Sequence, residues 1–139
     1  MTRVAFLVSR VLRTGPNTNM MALLRHLPRD SVSPEVIALD RGSDSDMAGE
    51  LEAMEIPLIE VPAGGALARR AALRRLIREG EYVAVLSCGI RADFLNLVAC
   101  PASLRGVIKQ EPAFTPFGGR VRTFGVRALH LGMIFSARR

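Results

Sequence analysis

Tryptophan is absent from this chain of 139 residues, tyrosine occurs once, and there are two cysteines and two histidines. Each shortage excludes something. With so few aromatics there is no interleaving of bases and rings on a basic face, and no helix-turn-helix pattern or zinc site adds to it, so nucleic acid is not an expected partner. Cys88 and Cys100 match no zinc spacing, and His26 and His130 lie too far off to complete one, so no metal site is expected. The same scarcity leaves no Ser–His–Asp or Cys–His set to assemble. No apolar run approaches the ~20 residues of a membrane span. The N-terminal "TRVAFLVSRVLR" carries arginines at both ends and reads as a strand rather than a secretory signal, which points to a cytoplasmic protein. Neither GxGxxG nor GxxxxGK[ST] occurs, so no dinucleotide or P-loop cofactor is implied.

What is present is an apolar, globular composition, 49% hydrophobic. Both cysteines sit in apolar segments and are expected to be buried. The net charge of +6 is unevenly placed. Residues 1–104 balance 12 basic against 12 acidic side chains, while in 105–139 Arg105, Lys109, Arg120, Arg122, Arg127, Arg138 and Arg139 face only Glu111. A basic C-terminal third can meet phosphates or an anionic membrane surface, or be an ordinary solvated face.

Along the chain, apolar runs of strand length alternate with helical spacing. "RVAFLVSR" is a first strand, followed by a helix capped by Asn17 or Thr18 with Met20, Leu23, Leu24 and Leu27 on one face. "PEVIALD" (34–40) is a second strand, and Met47, Leu51 and Met54 stripe a short helix after it. "IPLIEVP" (56–62) is a third strand. The helix at 66–79 buries Leu73, Leu76 and Ile77, exposes Arg70, Arg74 and Arg78, and stops at Gly80. "YVAVLS" (82–87), the helix "RADFLNLVA" and "RGVIKQ" (105–110) complete five strands, and Val121, Phe124, Ala128 and Leu131 space as a last helix face. This order predicts an α/β fold: an open parallel sheet of about five strands, Rossmann-like, with helices on both faces. Such sheets bind ligands beyond the carboxyl ends of their strands.

Three loops then fall on one rim: "RTGPNTN" (13–19), "SCGIRAD" (87–93) and "KQEPAFTPFGG" (109–119). Gly15 permits close approach or a positive φ, and the helix start behind it offers free N–H groups to an anion; the loop is equally an ordinary strand-to-helix turn. Arg91 in the next loop can hold a phosphate or carboxylate, with Asp93 at the positive helix end, or the two form a cap and a surface ion pair. Lys109, Gln110 and Glu111 cluster a cation, an amide and a carboxylate, where Glu111 is either a general base or a solvated acid.

In this order the loops resemble the N-terminal, acceptor-side domain of family-four retaining glycosyltransferases, which have two Rossmann-like domains facing across a cleft. The resemblance spans about residues 3–131 and rests on "GPNTNMMALLRHLP", "VIALDRGSDSDMAGELEAMEIPLIEV", "LSCGIRADFLN" (similar to the family's "HSHGIRAD") and "VIKQEPAFTPFGG" (similar to its "TIHN…Y…YG"). It implies a hexosyltransferase-type domain that holds the acceptor, a glycan or lipid-linked molecule, while a second domain binds a nucleotide sugar as donor substrate. Gly15 then takes the place of the glycine near the donor diphosphate. Asn17 and Asn19 of the same loop, with Gly89, Arg91, Asp93 and Gln110, are substrate-binding, and Lys109 stands where the family's reaction-centre His stands. Glu111 is the accompanying catalytic candidate. Cys88 replaces a second His.

The replacements weigh against catalysis of the usual kind, since an unperturbed lysine stays protonated where imidazole can exchange a proton. The resemblance implies domain boundaries of 1–131, with 132–139 a poorly matched tail, and a truncated or divergent N-terminal half from which the donor-binding domain is absent. A chain holding one wall of the cleft is expected to be inactive alone. Placement at the inner membrane face, through the basic helix near 120–131, is the accompanying expectation. The alternative is a non-catalytic Rossmann-like module that recognises a partner protein or a small anion on the same rim.

Overall fold

The computed structural model describes residues 1–42 and 45–108. Strand β1 (Thr2–Val8) alternates its buried side chains between two faces: Ala5 and Leu7 to one, Phe6 and Val8 to the other. A strand apolar on both sides must be covered on both sides, and the chain supplies helices to do so. Helix α1 (Gly15–His26), β2 (Val32–Ala38), α2 (Ser45–Ala53), β3 (Leu58–Glu60), α3 (Ala66–Glu79), β4 (Ala84–Cys88), α4 (Ile90–Ala99) and β5 (Arg105–Val107) follow, with a single 3-10 turn before β5. The five strands form one parallel sheet in the order β3-β2-β1-β4-β5. This is the Rossmann-like α/β fold anticipated from the alternation of elements.

The two faces have separate cores. Met20, Met21 and Leu24 of α1 and Met47 and Leu51 of α2 pack on Phe6, Val8, Val36 and Ala38. Leu73 and Ile77 of α3 and Ala92 and Ala99 of α4 pack on Ala5, Leu7, Ile37 and Val85. Both cysteines are buried and unbridged. Burial, with the Asp93 charge adding to it for Cys88, pushes each thiol up to about 12, which makes them poor nucleophiles.

Several local expectations are corrected. Helix α1 begins at Gly15 with Thr14 as its N-cap residue, not at Asn17 or Thr18, because Pro16 suits the first turn, where its missing N–H costs nothing. On α1 the buried stripe takes Met21, and Leu23 is 40% exposed. Of the arginines expected to be exposed on α3, Arg74 and Arg78 are, while Arg70 is half-buried; the Nε–H groups of Arg70 and Arg74 donate to the carbonyls of Val98 at 2.9 Å and Ala99 at 3.3 Å, at the end of α4. The strands are also shorter than the apolar runs, β3 spanning Leu58–Glu60 and β5 Arg105–Val107. The expected helix over Val121–Leu131 and the boundary at 131 lie outside the described residues. Among those described, no helix is long and apolar enough to cross a membrane.

Candidate functional site

From β1 the chain moves outward through β2 to β3, and later from β4 outward to β5 on the other side. The connections therefore diverge between β1 and β4, opening a crevice at their carboxyl ends. Val8 pairs with Cys88 across these strands, so the residues that follow, Ser9 and Gly89, flank the crevice. A Cβ placed on Gly89 would lie 4.0 Å from the Ser9 hydroxyl.

Two helices start at this crevice. Gly89 has φ 95° and ψ 154°, a conformation essentially reserved for glycine, and it turns the chain from β4 into α4. Gly15, by contrast, is the first helical residue of α1 and is not among the positive-φ glycines. The left-handed requirement thus falls on the second loop rather than the first. Neither helix start is capped by a side chain. The first helical bonds are Thr18 N–H to Thr14 and Asp93 N–H to Gly89, both 2.8 Å, so the amides of Gly15, Asn17, Ile90, Arg91 and Ala92 precede them. Two such helix ends make the crevice attractive to an anion.

The named side chains divide sharply. Asn17 is 4% exposed, and its Nδ2 donates to the carbonyls of Arg10 and Leu12, both at 2.8 Å. It shapes the β1–α1 loop from inside, while Asn19 is exposed on α1. Arg91 is exposed at the lip of α4 and Asp93 is 3% exposed beneath it. Two residues apart on a helix they face different sides, so the geometry does not favour a surface ion pair between them. Loops 13–19 and 87–93 therefore do share a rim. Lys109, Gln110 and Glu111 lie outside the described residues, but Ile108, just before them, donates its N–H to the Ser87 carbonyl at 3.0 Å. Asn96, fully buried, ties that region together by donating to Val85, Ser87 and Gly106 at 3.0–3.1 Å. Among the described residues no group of His, Cys, Asp and Glu gathers to hold a metal ion.

No protein-family model and no curated protein sequence matches this chain. Solved structures do. The crystal structure of Acinetobacter baumannii MurG aligns with a TM-score of 0.61 at 13% identity, covering 93% of this chain and 39% of MurG. Glycinamide ribonucleotide transformylase 1 from Symbiobacterium toebii aligns with a TM-score of 0.54 at 19% identity, covering 95% of this chain and 61% of that protein. The fold is shared with both. The chain spans 39% of the first neighbour's length and 61% of the second's, less than two thirds of either.

Sequence reasoning missed part of the rim. Asp40, just after β2, accepts from Arg10 Nε at 2.9 Å and from the Gly42 N–H at 3.1 Å. Glu50 of α2 takes both Arg13 of the β1–α1 loop and Arg25 of α1, the latter at 2.5 Å. Against the cost of partial desolvation, those two arginines hold the Glu50 carboxyl below its usual range. These partners stand 25 to 37 residues apart, and no local spacing announces them.

Proposed function

We propose that this chain is the acceptor-side domain of a sugar transferase built from two Rossmann-like domains, of the family-four type that its loops resemble. The single observation that carries the reading is the meeting of "GPNTN" and "CGIRAD" on the two lips of the switch-point crevice. The fold shared with MurG, a glycosyltransferase, supports it. A fold alone does not select a chemistry, as the transformylase neighbour illustrates, so the weight rests on the loops.

In this reading the uncapped amides of α1 and α4 approach the donor diphosphate, and Arg91 meets an anionic group of the donor or acceptor. Asn17 sets the loop, Asn19 and Gln110 offer polar contacts, and Asp93 supports the start of α4. Lys109 contacts phosphate rather than exchanging a proton, and Glu111 is the carboxylate placed nearest to it in sequence. The nucleotide sugar is bound mainly by a second domain, and the acceptor is a glycan or a lipid-linked molecule met at the inner membrane face. Domain boundaries follow the resemblance, 1–131 with a short tail.

The test is a sugar-transfer assay with a panel of nucleotide sugars, run on the chain alone and on the chain fused to the donor-binding domain of a two-domain transferase. Transfer by the fusion only, abolished by Gly89→Ala, is the expected result. Turnover by the chain alone would overturn the half-site reading. A second reading, a non-catalytic binding module, draws on the buried, proton-retaining thiol of Cys88 where the resemblance places a His. It predicts anion binding at the crevice with no transfer by either protein.

A further inference from the structure

We infer that the segment 121–131, which lies outside the described residues, docks as a helix on the outer flank of α4, along a stripe of Ile90, Phe94 and Leu97. These three recur at i, i+4 and i+7, so they share one side of α4. Ile90 is 46% exposed, Phe94 53% exposed, and Leu97 half-buried. The other sides of α4 are already taken. Ala92 is buried in the core, and Asn96 donates to the carbonyls of Val85 and Gly106 in the sheet. Leu95 packs on the core that α3 shares, while Arg70 and Arg74 of α3 reach the last carbonyls of α4. The stripe therefore points away from α3, toward the free side of β5. Leaving it in water forgoes the burial of an aliphatic and an aromatic side chain.

The chain itself supplies the occupant. Val121, Phe124, Ala128 and Leu131 have the spacing of one apolar helix face. The segment also starts on the right side of the sheet, since Ile108 N–H, just past β5, donates to the Ser87 carbonyl at 3.0 Å. From there residues 109–119 lead to a helix of ~16 Å, close to the ~15 Å of α4. Met133, Ile134 and Phe135 then form a short apolar run, and β5 has no strand on its outer edge among the described residues. A right-handed crossover from β5 to a parallel strand beside it sets the connecting helix on the face that α4 covers, because the step from β4 to β5 runs in the same direction. Apolar spacing, exposed stripe and handedness agree on one neighbour. The docking holds the loop 109–119, with Lys109, Gln110 and Glu111, by both ends at the carboxyl rim.

The experiment is disulfide trapping in the full chain, with Phe94→Cys paired in turn with Val121→Cys, Phe124→Cys, Ala128→Cys, Thr123→Cys and His130→Cys. The native thiols of Cys88 and Cys100 are buried and hold their protons, so they do not compete. Crosslinks within one chain are expected from 121, 124 or 128, and at least about tenfold more slowly from 123 and 130, which face the other way on a helix. Leu23→Cys, exposed on α1 across the sheet, should form none with Phe124→Cys. Even crosslinking at all five positions, trapping by Leu23→Cys, or crosslinks only between two chains would each overturn the docking, the last by assigning the stripe to a second copy. Hydrogen exchange gives a second reading without oxidation. Amides of 121–131 should be protected in the wild type, and Phe94→Ala should speed their exchange about three- to tenfold while those of α1 keep their rate. Unprotected amides in the wild type, or unchanged exchange in Phe94→Ala, would also overturn it.

Discussion

The two edges of the sheet handle charge in opposite ways. At the amino edge, Glu35 on β2 is 6% exposed and receives Arg3 from β1 at 2.5 Å and the Tyr82 hydroxyl at 2.5 Å. Arg3 also lies over the Tyr82 ring, 5.2 Å from its centroid. Both Glu35 carboxylate oxygens have a partner inside the fold, Oε1 in Arg3 and Oε2 in the Tyr82 hydroxyl. At the carboxyl edge, two helix starts lack side-chain caps, Gly89 holds a conformation that only glycine tolerates, and Arg69 has a buried donor without an acceptor among the described residues. A closed network fixes structure, whereas an unfinished one is free to meet a ligand. The contrast supports the proposal that ligands meet the carboxyl edge, without appeal to any particular chemistry.

That contrast can be broken by mutation. Glu35→Ala has the largest expected effect, a loss of about 3 kcal/mol in denaturant unfolding, because it strands the buried Tyr82 hydroxyl; Arg3, half in solvent, softens the loss. It should leave ligand binding at the far edge unchanged. Gly89→Ala should cost about 2 kcal/mol through backbone strain alone, since its new Cβ meets only Ser9 at 4.0 Å, and should also abolish binding at the crevice. Asn17→Ala removes two hydrogen bonds to loop carbonyls and should cost about 1–2 kcal/mol, again with loss of crevice binding.

The pH dependence separates the edges most gently. Burial first, and then the Glu35 carboxylate, raise the Tyr82 hydroxyl above its ordinary 10.0. A raised value stabilises the fold fully below pH 10.0, and this contribution is lost as pH climbs toward the folded value. Asp40 and Glu50 are lowered from 3.8 and 4.5, so their contribution is present above those values and fades as pH falls through the folded ones. Thermal unfolding across pH should therefore weaken in alkali for wild type but less for Tyr82→Phe, and weaken in acid less for Asp40→Asn than for wild type.

Much of this fold is legible in the residues. Continuous apolar runs at Val4–Val8 and Val36–Ala38 mark strands covered on both faces, and the spacing of Leu73, Leu76 and Ile77 marks a helix face, since side-chain direction repeats every two residues on a strand and about every 3.6 on a helix. The loops at 13–19 and 87–93 could be placed on one rim because parallel strands all end at the same edge. Where the reading slipped, a local preference lost to context. Asn17 is a good cap by type, yet Pro16 starts the helix earlier and turns the Asn17 amide onto the loop carbonyls. Arg70 is charged and spaced as an exposed residue, yet it is half-buried, with the end of α4 within its reach.

By itself, then, the sequence determined the alternation of strands and helices, the two apolar faces of the sheet and the position of the turns, all of which follow from neighbours within a few residues. The order β3-β2-β1-β4-β5 was decided only in three dimensions, because the same alternation also suits other parallel orders. With the order came the crevice between β1 and β4, the charge network of Arg3, Glu35 and Tyr82, and the ion pair of Arg10 with Asp40. Such contacts join residues tens of positions apart, and no short-range periodicity encodes which of them will meet.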